Sequence, residues 1–292
     1  MKQDVTFILG VGAQKAGTSW LHDHLSSHSS VSASYYKELH FFDAMKNKDW
    51  FGAFDDVFVR DAIFGLSRWN DPKFDRRVTA DALTRVAAIQ NPTRYFSIFK
   101  SNLSKETTHF IDTTPSYSTL DADSFKFVRS FVLSHCSAIR VVFLMRDPVE
   151  RLISAIAHMH RPKPFLGHIH QLRSLAKRLR ERSPSLQEIL EDQKVMARGR
   201  YDLTVSALLA SFEPDELYFG FYETLFSSEE MSNIEKFLGL PAKSPDIERT
   251  INVSRGHFVP NNDEIENLRH ILDPVYRYCR TTFGSTIPAT WR

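Results

Sequence analysis

Apolar residues in this chain gather in short runs separated by amphipathic stretches. Residues 6–11 (TFILGV) form an apolar, β-rich run bounded by Gly10 and Gly12, the pattern of a buried parallel strand. Residues 19–25 follow with Trp20, Leu21 and Leu25 on one side, so the chain opens as strand, glycine loop and helix. Residues 109–113 (HFIDT) predict a second strand. Residues 123–135 predict a helix with Phe127, Phe131 and Val132 as its apolar stripe.

Residues 139–145 (IRVVFLM) are the clearest buried strand, and they stop at Arg146-Asp147-Pro148. Asp at the N-cap and Pro at the first helical position start a helix expected to run to about His160. Residues 217–221 (LYFGF) predict another strand, followed by a helix over about 224–238. Strands alternating with helices imply an α/β fold with a doubly wound, mostly parallel sheet flanked by helices. The simplest organisation is one domain over 1–292 with helical insertions at about 43–108 and 155–200.

Composition narrows the function classes. The 292 residues are 42% hydrophobic and 25% charged with a formal charge of +2, an ordinary globular balance with no global field for a polyanion. Binding to nucleic acid is therefore not expected, and an anionic ligand must be met by local cations. The two cysteines, Cys136 and Cys279, lie far apart in segments that read as helical, which argues against a disulfide framework. The first apolar run is too short for a signal segment, and no later stretch reaches the roughly 18 apolar residues of a membrane span. A soluble, cytoplasmic protein is expected. Oligomeric state is not legible.

Two segments carry candidate chemistry. Gly12-Ala13-Gln14-Lys15-Ala16-Gly17-Thr18-Ser19 joins the first strand to the first helix. Small residues let backbone N–H groups approach a phosphate, and the helix N-terminus adds partial positive charge. The Gly12-x4-Gly17 spacing is that of a P-loop, but Thr18 stands where a Walker lysine belongs and the lysine sits inside the loop, at Lys15. An anion cradle and a plain tight turn with Lys15 in solvent both remain open at this level. The second segment begins with Arg146 at the carboxyl end of a strand, where open parallel sheets bind ligands. Asp147, Glu150, Arg151 and Ser154 follow at i, i+3, i+4 and i+7 of the next helix, so they are expected to share a face. Arg146 can fork onto a phosphate and Ser154 can add a hydroxyl; the alternative is an ion-pair cluster that only caps the helix.

Taken together these residues resemble the PAPS-dependent sulfotransferase superfamily. Gln14-Lys15-Ala16-Gly17-Thr18-Ser19-Trp20-Leu21 resembles its 5′-phosphosulfate loop, and Arg146-Asp147-Pro148-x-x-Arg151-x-x-Ser154 its 3′-phosphate motif. Lys37-Glu38-Leu39-His40-Phe41-Phe42-Asp43 is similar to the Glu-x-His-Phe-Phe signature of the heparan-sulfate (carbohydrate) type branch and its soluble bacterial relatives. Asp112-Thr113-Thr114-Pro115-Ser116-Tyr117 resembles that branch's Lys-Thr-Pro-x-Tyr stretch, with Thr113 in place of the lysine. Asn252-Val253-Ser254-Arg255-Gly256-His257 resembles its late cofactor-closing loop.

The resemblance implies an enzyme that binds PAPS (3′-phosphoadenosine-5′-phosphosulfate) and releases adenosine 3′,5′-bisphosphate, moving a sulfuryl group to an acceptor hydroxyl. By resemblance, Lys15 stabilises the departing phosphate, and Gln14 to Trp20 hold the 5′ side, with the Ala16 and Gly17 backbone and the Thr18 and Ser19 hydroxyls in contact. Arg146 and Ser154 hold the 3′-phosphate, and Arg255 and Gly256 close over the cofactor. Glu38 is the expected general base and His40 its rival; on an extended segment both face the same way. Phe41 and Phe42 are read as core.

No metal site is expected: His158, His160, His168 and His170 lack a recognisable zinc pattern, and the sulfuryl transfer that the resemblance implies requires no metal. The basic run 173–182 is read as a solvated face. The acceptor is expected to be a small molecule or carbohydrate, or another alcohol. The competing classes are a P-loop kinase using Mg-ATP, which lacks a Walker B acid here, and a non-catalytic nucleotide-binding module.

Overall fold

The computed structural model describes residues 3–46, 54–100, 103–159, 186–246 and 259–291. Among these, five strands pair side by side, all in parallel, in the order β2-β3-β1-β4-β5. They are β1 (Gln3–Gly12), β2 (Val31–Ala33), β3 (His109–Thr113), β4 (Cys136–Met145) and β5 (Leu217–Phe221). The apolar runs explain the arrangement: Phe7, Ile8, Leu9 and Val11 of β1 are buried on both faces, as the central strand of a covered parallel sheet must be.

Helices cover the sheet. They are α1 (Thr18–Ser26), α2 (Phe41–Lys46), α3 (Phe54–Ser67), α4 (Arg77–Gln90), α5 (Ser97–Lys100), α6 (Ala122–Leu133), α7 (Pro148–Met159), α8 (Leu186–Glu191), α9 (Gln193–Ala197), α10 (Tyr201–Leu209), α11 (Tyr222–Leu225), α12 (Ser228–Leu238) and α13 (Asn262–Phe283). None of the described helices is long and apolar enough to cross a membrane. The chain moves from β1 outward to β2 and β3 on one side, then returns to β4 on the other. The carboxyl end of β1 therefore lies at the switch point where ligands of open α/β sheets bind.

Several expectations from the sequence are corrected. The helix expected over about 224–238 breaks in two, because the Ser227 hydroxyl accepts the Glu230 N–H at 3.1 Å and caps a new start. The buried face of α6 is Ser124, Phe125, Val128 and Val132. Phe127 and Phe131 are only partly buried and pack at the flank, Phe131 against Phe96 at 5.4 Å. Cys136 opens β4 rather than lying in a helix; both cysteines are free and buried. Strand β2 has three residues, too few for a readable alternation.

Phe41 and Phe42 are core, as read from the sequence. Phe41 stacks on Tyr95 at 4.3 Å, and Phe42 meets Tyr117 at 5.4 Å. Both rings are essentially buried. Their burial anchors the start of α2 and hence the loop just before it, which carries Glu38 and His40.

Candidate active site

Three strand ends converge on one crevice. From β1 the chain turns through Gln14 and Lys15 into α1. Lys15 has φ 74° and Gly17 φ 82°, the left-handed conformations that fold this loop back onto the helix start. Gly17 is the N-cap and has no side chain to offer, and the first turn of α1 contains no acid. The first-turn N–H groups of this nine-residue helix thus face the crevice without a side-chain cap, the arrangement that receives anions.

Beside this helix start, the Lys37 ammonium donates to Thr18 Oγ1 at 3.4 Å and lies 3.2 Å from the Glu38 carboxylate. Two expected contacts change character. Ala16 is fully buried, and its N–H donates to the Ala13 carbonyl at 3.2 Å, so its part is to close the turn. The Trp20 indole is buried away from the crevice. It stacks on His24 at 5.8 Å, meets Phe226 at 5.0 Å and donates to the Asp246 carbonyl at 3.2 Å.

Arg146 leaves the end of β4 toward the same crevice. Its guanidinium lies over the Tyr222 ring at 4.4 Å, pairs with Glu150 at 3.2 Å, and donates to the Lys15 carbonyl at 3.5 Å. That last contact brings the two sequence motifs together. The N-cap reading of Asp147 holds: its carboxylate accepts the Val149 and Glu150 N–H groups at 3.0 and 3.1 Å, and the Tyr276 hydroxyl at 2.8 Å. The expected common face of α7 does not form one surface. Glu150 is exposed, Ser154 is buried at 8% exposure, and Arg151, at 1%, turns inward to donate to the Val195 carbonyl at 3.4 Å. Tertiary packing of 195–199 against α7 separates residues that helical spacing groups together.

From β3 comes the support for Glu38 and His40. Asp112 is fully buried and accepts hydroxyl bonds from Tyr95 at 2.6 Å, Thr114 at 2.7 Å and Tyr117 at 2.8 Å. Burial raises its carboxyl pKa, while the three hydroxyls work the other way. Thr114 Oγ1 in turn accepts the N–H of Leu39 at 3.0 Å and of His40 at 3.5 Å. The loop bearing Glu38 and His40 is therefore pinned to the end of β3. Thr113, at the position of the family lysine, points elsewhere: its hydroxyl lies 3.1 Å from His22 Nδ1, and its side chain packs against Gly10.

Glu38, His40 and Asp43 form a line. His40 Nε2 lies 3.4 Å from Glu38 Oε2, and His40 Nδ1 lies 2.8 Å from Asp43 Oδ2, which also accepts the Ser116 hydroxyl at 2.5 Å. Burial alone would lower the His40 pKa, but hydrogen bonds to Asp43 and Glu38 outweigh it and raise the value to about 9. For Glu38, burial would raise the pKa, but His40 and Lys37 hold it at about 2. Its inner side is crowded by these partners although the side chain keeps 44% of its surface open. Arg198, just beyond α9, donates to Gln14 Oε1 at 3.5 Å. Burial lowers its pKa, while attraction to Asp43 and Glu38 opposes that shift.

The structure thus brings together Gln14, Lys15, Gly17, Thr18, Ser19, Glu38, His40 and Arg146, with Ser154 on the adjoining helix. Arg255 and Gly256 lie outside the described residues, as do His160, His168, His170 and the basic run 173–182; His158 ends up exposed on α7. Sequence reasoning missed Asp43, Thr114, Ser116 and Arg198 as site residues, and it quoted Lys37 without giving it a role.

A family model described as the sulfotransferase domain matches residues 5–262. A sulfotransferase from Alicyclobacillus acidocaldarius superposes with a TM-score of 0.61 at 18% identity, over 100% of both chains. The sulfotransferase domain of the Synechococcus PCC 7002 olefin synthase gives 0.45 at 15% identity, covering 93% of this chain and 95% of that one. A mouse sulfotransferase complexed with PAP gives 0.43 at 10%, covering 97% and 86%. No curated protein sequence matches the chain.

Proposed function

Since the chain belongs to the sulfotransferase domain family, we propose that its donor is PAPS and its acceptor a carbohydrate or other alcohol. The observation that carries the donor assignment is the meeting of two separate cation sites across the crevice. Lys15 and Lys37 flank an uncapped helix start at the end of β1, and Arg146 at the end of β4 reaches the Lys15 carbonyl at 3.5 Å. A ligand with two separated phosphates uses both sites; a ligand with one does not. The donor supplies an activated sulfuryl group on a good phosphate leaving group. The family match is to the sulfotransferase domain as a whole, so the acceptor class rests on the Glu38-to-Phe42 signature.

In this reading the first-turn N–H groups of α1 and the Thr18 and Ser19 hydroxyls hold the 5′ side. Lys15 and Lys37 oppose the charge that builds on the departing phosphate oxygen. Arg146 and Ser154 hold the 3′-phosphate. The acceptor oxygen forms a bond to sulfur as the sulfur–phosphate oxygen bond breaks, and its proton passes to Glu38. His40 is charged at neutral pH and cannot accept that proton. It serves as the imidazolium that steadies Glu38 against Asp43. An incoming polyanion draws Lys37 toward itself and raises the basicity of Glu38, so base strength and donor binding are coupled.

Calorimetry with adenosine 3′,5′-bisphosphate, 5′-AMP and Mg-ATP, in the wild type and in Arg146→Ala, tests the donor assignment. The expected result is a preference for the bisphosphate of roughly 100-fold over 5′-AMP, lost in the variant, as removal of a charge-assisted contact predicts. Tight Mg-ATP binding with no preference for the 3′-phosphate overturns it.

A further inference from the structure

At the far end of α1 from the phosphate loop, three side chains that the proposed reaction does not use converge. His24 lies in the last turn of α1, and His28 lies in the turn just beyond its end, where its N–H donates to the Leu25 carbonyl at 3.2 Å. Glu235 faces them from α12. His24 Nε2 is 2.8 Å and His28 Nε2 is 3.2 Å from the same carboxylate oxygen, Glu235 Oε1. All three candidate ligand atoms lie within 4.8 Å of one another. The residues are buried, at 9%, 6% and 2% exposure.

We propose that His24, His28 and Glu235 form a site for a divalent ion of zinc type. Two neutral imidazoles and one carboxylate are a recurrent zinc donor set, and they leave a fourth position for water. Metal bonds of about 2.0–2.1 Å in a tetrahedron put ligand atoms roughly 3.3 Å apart; here the two histidine–carboxylate separations are 2.8 and 3.2 Å, and the two imidazole nitrogens lie within 4.8 Å of each other. An ion thus enters with small side-chain adjustments. The second oxygen of Glu235 accepts the Lys243 N–H at 3.0 Å, which fixes the carboxylate for one-oxygen ligation.

Without an ion, both Nε2–H groups point at one oxygen; to ligate, each neutral imidazole would carry its proton on Nδ1 instead, leaving the Nε2 lone pair for the metal. The site also has a mechanical consequence. Trp20, in the first turn of α1, stacks on His24 at an interplanar angle of 11°. An ion here ties α1 to α12 behind the helix start that receives the anion. It takes no part in sulfuryl transfer.

The test uses the full chain, stripped with a chelator and titrated with zinc chloride by calorimetry, and separately with cobalt(II) followed by visible absorption. One zinc per chain is expected, with a rise in melting temperature. The cobalt form is expected to show the intense ligand-field bands of a four-coordinate site. His28→Gln and Glu235→Gln should each weaken zinc binding by about 100-fold or more, while affinity for adenosine 3′,5′-bisphosphate stays unchanged. No binding to the wild type at micromolar zinc, or binding indifferent to both substitutions, overturns the proposal. If either variant fails to fold, the wild-type cobalt spectrum decides alone, because weak six-coordinate bands or none also overturn it.

Discussion

His40 Nδ1 lies 2.8 Å from Asp43 Oδ2, and this contact is the strongest of those that raise the pKa of the histidine. Asp43 is fully buried and also receives the Ser116 hydroxyl, so the carboxylate is held in place facing the ring. A histidine held between two carboxylates keeps its proton. In the proposed reaction it supports the base, Glu38, rather than acting as one.

The pH dependence of kcat/KM follows from that assignment. Glu38 is ionised above about 2 and His40 stays protonated up to about 9, so activity is expected to be level across neutrality and to fall as pH rises through 9. Asp43→Asn removes the strongest of the contacts that raise the His40 pKa, and should move the alkaline limb downward by about one pH unit or more. The measurement is a pH profile of PAP release with an acceptor found by screening. A rate that climbs through pH 9 would instead make neutral His40 the proton acceptor.

Thr114 links a buried anion to a loop. Its hydroxyl donates to Asp112 at 2.7 Å and accepts the Leu39 N–H at 3.0 Å. Thr114→Val keeps the shape and breaks both bonds. A stability cost of about 1–2 kcal/mol is expected, since one donor to a buried carboxylate and one acceptor are lost. Turnover should drop about 10-fold, because Glu38 loses its registration over the crevice. Affinity for adenosine 3′,5′-bisphosphate should not change. Loss of that affinity in proportion to turnover would show that Thr114 supports the phosphate loop rather than the base.

How much of this was legible in the sequence depended on whether the signal was local. Four of the five strands, the N-cap at Asp147 and the two cation motifs each rest on residues within one turn or one strand, and these were readable. Arg198 meets Gln14 across 184 positions, and Glu235 meets His28 across 207. No spacing rule reaches that far. Asp43 was quoted within a motif, but its role emerged only when burial of Phe41 and Phe42 turned α2 so that the carboxylate faced His40. The α7 face failed for a related reason: helical spacing groups Glu150 with Arg151, and packing by 195–199 buries only one of them.

Gly17 couples the two cation sites. At φ 82°, a Cβ would lie 2.6 Å from Leu225 Cδ2 and 3.2 Å from the Tyr222 ring, on which the Arg146 guanidinium rests. In Gly17→Ala the left-handed backbone alone costs about 1–2 kcal/mol. Leu225, fully buried, must give way, and the Tyr222 ring must move by a few tenths of an ångström, carrying Arg146 with it. Affinity for adenosine 3′,5′-bisphosphate should fall by about 10- to 100-fold, a loss of roughly 1.4–2.8 kcal/mol. Affinity for 5′-AMP should fall less, since it does not depend on Arg146. Equal losses for both ligands would confine the effect of Gly17 to the 5′ side.

Stability should fall on both sides of neutrality, for opposite reasons. His22 is buried behind the phosphate loop. Burial, with a smaller contribution from Lys37, lowers its pKa from 6.5 to about 3. Its folded pKa lies below its unfolded one, so stability is complete above 6.5 and is lost as pH falls toward 3, where the unfolded chain binds a proton that the folded chain refuses. By pH 4 this one group accounts for a loss on the order of 3 kcal/mol. His40 has the opposite sign: raised from 6.5 to about 9, it stabilises fully below 6.5, and that contribution drains away as pH rises to 9. Thermal unfolding of the ligand-free protein from pH 4 to 10 should therefore show a maximum near pH 6.5. His22→Gln should flatten the acid limb and leave the alkaline limb intact, and Asp43→Asn should do the reverse. An acid limb unchanged by His22→Gln would transfer the acid sensitivity to a carboxylate held below its ordinary pKa, beginning with Glu38 at about 2.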